Sequence, residues 1–206
     1  MKMLDYVRLA YVRMGENLEC SSELVKPLVD IFASKPYRAV RIVASGSSRH
    51  AADCTCDYLQ DVLKMQVCVV TPEAFVDFEH EYPQDALTIA ISQSGYSTNT
   101  LAALDFMRSE GMDAVALTSN VEAPIKAHAD VVLDYGVGVE SVDFVTLGVQ
   151  VLVEYLVLFG IYGGQALGAC SPDEVARRLS ELDEAIQANA AMCKTAESYV
   201  QDHLLE

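Results

Sequence analysis

Between residues 39 and 135 the chain alternates short apolar runs with amphipathic stretches, and this rhythm constrains the fold more than any other feature. "AVRIVASG" (39–46), "QVCVV" (66–70), "ALTIAIS" (86–92), "DAVALTS" (113–119) and "ADVVLDY" (129–135) read as strands. Nearly unbroken apolar runs belong to strands covered on both faces. Helical patterns separate them at 48–64, from Pro72 onward, at 98–110 before Gly111, and at 122–127. Strand–helix alternation implies a parallel sheet sandwiched by helices, and right-handed crossovers leave few ways to order it. The predicted class is α/β: a three-layer α/β/α sandwich with a five-stranded parallel sheet in the flavodoxin-like order 2-1-3-4-5.

The flanks divide the chain into three parts. Residues 1–34 read as two N-terminal helices that pack on the core or on a partner. Residues 35–165 form the sheet domain, ending in an apolar helix over about 143–161. Its center, "VLVEYLVLFGIY", contains Glu154 and precedes Gly163 and Gly164, so it reads as a buried core helix too short to span a membrane. Residues 170–206 read as one long helix. Ser171, Pro172 and Glu174 supply a capping box. Val175, Leu179, Leu182 and Ile186 form an apolar seam that Cys193 and Val200 continue past Asn189. Such a helix is expected to dock on a second subunit or to link to a further domain.

With 30 acidic against 14 basic residues, the formal net charge is −16. That argues against nucleic acid or an anionic membrane as partner, since both call for a basic face, but leaves room for a local anion site. The six cysteines show no disulfide spacing, and no basic-plus-apolar leader opens the sequence, so a reducing cytoplasm is the expected setting. His50, Cys54 and Cys56 raise the question of a metal. On one helix, Cys56 lies about 200° around from Cys54, so neither a metal site nor a cofactor is expected. Asp53, Asp57 and Asp61 read as a solvated helix stripe.

In a sheet of this order, ligands sit beyond the carboxyl ends of the first and third strands, where the strand order reverses. The loop after the first strand is Ser45-Gly46-Ser47-Ser48-Arg49, and the loop after the third is Ser92-Gln93-Ser94-Gly95-Tyr96-Ser97. Both lead into helices. Helix N-termini offer unsatisfied N–H groups, serines add hydroxyls, and glycine lets backbone approach closely. This combination suits a phosphate without a basic cluster, although a serine in either loop can also serve only as a cap. The chain has no P-loop, no G-x-G-x-x-G after the first strand, no aspartate at the end of the third strand and no G-x-S-x-G.

"VASGSSRHAA" followed by "IAISQSGYSTNTLAAL" resembles the SIS, or sugar isomerase, family, and the resemblance extends over about residues 20–165. The likeness is strongest to the first of the two SIS domains in the isomerase part of glucosamine-6-phosphate synthase, and to fructosamine-6-phosphate deglycases. It implies binding of a phosphorylated sugar or amino sugar by Ser47, Ser48, Ser92, Gln93, Ser94 and Ser97; Gly46, Gly95 and Arg49, read from the loops themselves, complete the candidate set. It also implies isomerization or deglycation, at a site completed by a homodimer partner or a second SIS domain; binding without turnover is the alternative. Two-domain relatives draw their catalytic lysine and glutamate mostly from the second domain. Many also carry a lysine where this chain has Val142 or Leu147.

A proton transfer between adjacent carbons needs a poised base. Glu140 and Asp143 follow the fifth strand at the binding edge, and Glu140 is the candidate base, with an exposed loop carboxylate, or one at a helix N-terminus favored by the dipole, as the alternatives. His50 is a candidate proton shuttle and Arg49 a phosphate clamp. His80 is a candidate for reaching a neighboring subunit's site.

Overall fold

The computed structural model describes residues 2–138, 140–142 and 145–204. Asp143 lies outside the described residues. Two helices come first: α1 (Met3–Glu19) and α2 (Ser21–Ala33). They are followed by β1 (Ala39–Ala44), α3 (Gly46–Leu63), β2 (Gln66–Val70) and the short α4 (Pro72–Ala74), which runs into a π-turn, Phe75–Glu79. Next come β3 (Ala86–Ile91), α5 (Thr98–Ser109), β4 (Val115–Thr118), α6 (Ile125–His128) and β5 (Val131–Asp134). The chain closes with α7 (Leu147–Ala166) and α8 (Pro172–His203).

All five strands are parallel, in the order β2-β1-β3-β4-β5, as the alternation predicts. β1 lies between β2 and β3, and all six of its residues are buried. One of them is charged. Arg41 donates to Thr88 Oγ1 and to the Pro83 carbonyl, and its guanidinium lies 5.4 Å from the center of the Phe75 ring. These contacts replace part of the water that a buried charge gives up.

A separate apolar core covers each face of the sheet. On one face, Val40, Ile42, Ile89 and Leu117 pack with α1, α2, α3 and α7. On the other, Val43, Ala90 and Ala116 pack with Phe75, Leu104, Met107 and Ile125. Tyr6, Ala10 and Met14 from α1 and Val25, Leu28 and Phe32 from α2 belong to the first core, so both N-terminal helices fold onto the sheet domain.

α7 departs from the sequence reading at both ends. It begins at Leu147 rather than near 143: Val145 and Thr146 are not helical, and Glu140 accepts from the first amides of the helix. It also runs through Gly163 and Gly164 to Ala166. These glycines permit close packing: a Cβ on Gly164 would lie 2.9 Å from Cys170 Sγ, and one on Gly163 would crowd Leu63 and Phe32. By length and composition alone α7 could cross a membrane, but 72% of its most apolar window is buried inside the fold.

α8 lays its seam on α7 and α1 of the same chain. Val175 and Ile186 are buried, Asn189 donates to Gln150, and Arg8 of α1 pairs with Glu197. Toward its C-terminal end the seam emerges into solvent, with Val200 38% exposed.

Candidate functional site

Three helices point their N-termini at one cleft over the carboxyl edge of the sheet. α3 starts directly after β1, α5 after the β3 loop, and α7 after the β5 loop. The cleft has a volume of about 350 Å³ and is lined by Ser45, Ser47, Ser48, Ser92, Gln93, Ser94, Ser97, Thr100, Ser119 and Glu140, with Ile91, Val142 and Val145. Seven serines and a threonine thus face one space. No lysine, arginine or histidine is among the described lining residues.

Each loop is built differently. Ser45 is the N-cap of α3, in extended backbone, and its side chain makes no capping bond. Gly46 turns the chain at φ +56, and nothing lies within 4 Å of where its Cβ would be, which suits a backbone that a ligand can approach. The first amides of α3 stay unpaired within the helix, beside the hydroxyls of Ser47 and Ser48.

The second loop is tied to its own scaffold. Gly95 N donates to Ser92 Oγ, and Tyr96 N to Ser94 Oγ. Ser97 caps α5, accepting from Thr100 N and Thr100 Oγ1. Thr118 and Ser119 donate to the Gln93 carbonyl. Gly95, at φ +74, is placed by packing: a Cβ there would meet Ala123 Cβ at 2.5 Å. Here the loop closes against protein rather than ligand.

Glu140 takes the capping role. One oxygen accepts from Thr146 N (2.8 Å), Thr146 Oγ1 (2.6 Å) and Leu147 N (3.0 Å); the other accepts from Gly148 N (3.0 Å) and Gln93 Nε2 (2.9 Å). Burial pushes this carboxyl up, but the donors of Thr146, Gln93 and Gly148 together outweigh it and hold the group below its ordinary value. A carboxylate with five donors is a poor proton acceptor near neutral pH. It neutralizes the positive end of α7, leaving α3 and α5 to face an incoming anion. Tyr6 braces this loop, accepting from Ser141 N at 2.9 Å.

The other candidates lie away from the cleft. His50 is exposed on α3 and Arg49 pairs with Asp53 at 3.5 Å; neither lines the space. His80 sits against the rings of Phe75 and Phe106 and bonds the Phe75 carbonyl. Sequence reasoning missed Ser45, Thr100 and Ser119. Ser45 opens the quoted loop, so it was open to notice. Ser119 enters only through the packing of β4 beside β3.

A sequence model of the SIS domain matches residues 36–159. The chain belongs to the SIS domain family. A glutamine–fructose-6-phosphate aminotransferase [isomerizing] from Symbiobacterium thermophilum is 30% identical over 151 residues, which is 72% of this chain but 24% of that protein. A Clostridium difficile 630 protein described as a phosphosugar isomerase superimposes with a TM-score of 0.87 at 22% identity, covering 98% of this chain and 56% of that one. A Listeria monocytogenes protein described as a sugar-phosphate isomerase gives a TM-score of 0.61 at 15% identity, over 85% of this SIS chain and 97% of its own. At these identities the two solved structures carry the fold. The chain spans about a quarter of the length of the curated relative and about half of the Clostridium one.

Proposed function

We propose that this SIS domain binds the phosphate of a phosphorylated sugar or amino sugar. We further propose that it supplies the phosphate-holding half of a site for isomerization or deglycation. The observation that carries this reading is the meeting of two serine loops and the N-termini of α3 and α5 in one 350 Å³ cleft, with no basic residue among its described walls. Amide and hydroxyl donors can bind a dianion there, while the formal charge of the whole chain stays at −16. Ser47 and Ser48 act with the α3 amides, Ser94 and Ser97 with those of α5, and Gln93 is aimed by Glu140. The base would come from a second SIS domain or a second copy of this chain, with the 1–34 and 170–206 helices as the docking elements, in the cytoplasm.

A second reading, binding without turnover, is favored by one observation: Glu140 is the only ionizable group among the described lining residues, and its oxygens are fully engaged. Titrating fructose 6-phosphate and glucosamine 6-phosphate against their unphosphorylated sugars, read by calorimetry and thermal shift, tests the binding claim. The phosphorylated forms are expected to stabilize the fold by mass action. Ser47→Ala combined with Ser94→Ala is expected to remove that effect, and both substitutions spare the Ser97 cap. Equal binding of phosphorylated and plain sugars would refute the assignment. Deuterium exchange from solvent into the bound sugar separates turnover from binding alone.

A further inference from the structure

Gln93 carries the only carboxamide among the described residues that line the serine cleft, and the fold holds it at both ends. Its main-chain carbonyl accepts from Thr118 Oγ1 (3.0 Å), Ser119 Oγ (2.8 Å) and Ser119 N (3.0 Å), which ties the backbone to the end of β4. Its side chain lies against the first turn of α7. A Cβ on Gly148 would stand 2.3 Å from Nε2 and 2.4 Å from both Cδ and Oε1. The amide therefore lies flat where any other residue would carry a side chain. Glycine disfavors a helix, and at 148 it leaves a seat for this amide.

The contact with Glu140 decides which way the amide faces. Glu140 Oε2 also accepts from Gly148 N, and its Oε1 accepts from Thr146 N and Leu147 N. Backbone N–H groups only donate, so both carboxylate oxygens are acceptors. The Gln93 atom 2.9 Å from Oε2 must then be Nε2, because a carbonyl oxygen there would set acceptor against acceptor. Gln93 Oε1 is left without a donor among the described residues. It is not one of their sealed, unpartnered atoms, which are Arg13 Nε, Arg41 Nε, Tyr135 Oη, Glu154 Oε1 and Tyr155 Oη. A molecule in the cleft can reach it.

The serine hydroxyls and helix amides around the cleft can donate to a phosphate. A carboxamide oxygen can only accept, so it repels a dianion and attracts a hydroxyl or amine hydrogen. We propose that Gln93 is the specificity-determining residue of the cleft: its Oε1, oriented by Glu140 and seated by Gly148, accepts a hydrogen bond from a hydroxyl or amino group of the sugar, while the phosphate is left to the serines and the helix amides. Gly148 is a positioning residue. The substrate class narrows to phosphate monoesters whose carbon chain carries a hydrogen-bond donor. The proposal rests on the sugar-phosphate reading.

The test titrates the full chain, by calorimetry, with sorbitol 6-phosphate and with ethyl phosphate, a monoester whose carbon chain has no donor. Wild type is expected to bind sorbitol 6-phosphate at least about five-fold more tightly, the effect of one hydrogen bond. Gln93→Met, similar in length but without the carbonyl, is expected to weaken sorbitol 6-phosphate by about that factor and ethyl phosphate by less than about two-fold. Gly148→Ala keeps the carboxamide but pushes it off its seat. It is expected to lower the same ratio of affinities, which a general loss of stability would not move, and it serves where Gln93→Met fails to fold. Equal weakening of both monoesters by Gln93→Met would assign Gln93 to the phosphate and overturn the proposal. So would equal binding of the two by wild type, or a ratio that either variant leaves unchanged. A wild type that binds neither monoester would sink the phosphate reading itself, and this proposal with it.

Discussion

Removing the Glu140 carboxylate distinguishes a cap from a base. In Glu140→Ala, three backbone N–H groups at the start of α7, the Thr146 hydroxyl and the Gln93 amide lose their acceptor. Water can reach some of them, because Glu140 is itself half-exposed, but Leu147 and Gly148 are buried. Losing a cap costs about 1 kcal/mol, and each buried donor left unpaired costs about 1–3 kcal/mol. Counting one cap and one stranded donor gives roughly 2–4 kcal/mol. In a chain of this size that lowers the melting temperature by roughly 5–15 °C.

The pH dependence sharpens the test. The native carboxyl titrates below its unfolded value of about 4.3. Its stabilization is therefore complete above that value and is lost as pH falls through the native one. Melts of wild type and Glu140→Ala from pH 7 to pH 3 should show a wide gap that closes in acid. Sugar-phosphate affinity should fall too, because Gln93 is released. An unchanged melting temperature at pH 7 would refute the capping argument, and loss of proton exchange with the fold intact would restore the base.

Three further outcomes follow from packing and charge. Gly95→Ala combines a left-handed backbone with a clash against Ala123; a loss of roughly 2–4 kcal/mol in urea melts is expected. Gly148→Ala would drive its methyl into the Gln93 side chain. Because the contact falls on the flexible end of that side chain, whose bond to Glu140 must give way, the expected cost is about 1–2 kcal/mol, with a larger loss of sugar-phosphate affinity by calorimetry than of stability. Glu154 has a native value raised to about 8, so its favorable contribution is full below about 4.3 and is lost as pH rises through about 8. Glu154→Gln should melt above wild type at pH 8, with the difference shrinking toward pH 5; a gap independent of pH would contradict this.

What the sequence alone determined is the frame. The period-2 and period-3.6 patterns are local, and each strand announces itself by an apolar run, although at the sheet edge β5 buries only Leu133. Once five such runs alternate with helices, handedness and short connections place β1 beside β3 and bring the two serine loops together. The serines of both loops were legible for the same reason, since they sit at fixed offsets from strand ends. What each polar side chain does with its hydrogen bonds was decided only by the tertiary structure. Glu140 reads as a base, an exposed loop carboxylate or a charge at a helix N-terminus until α7 begins at Leu147 and places three backbone amides against it. Gly95 reads as a ligand contact until Ala123, 28 residues on, occupies the space where its Cβ would stand. His50 and Arg49 follow the serines in sequence, yet the turn of α3 carries them out of the cleft. A carboxylate or a ring is defined chemically by the donors, charges and walls around it, and those come from segments that meet only when the chain has packed.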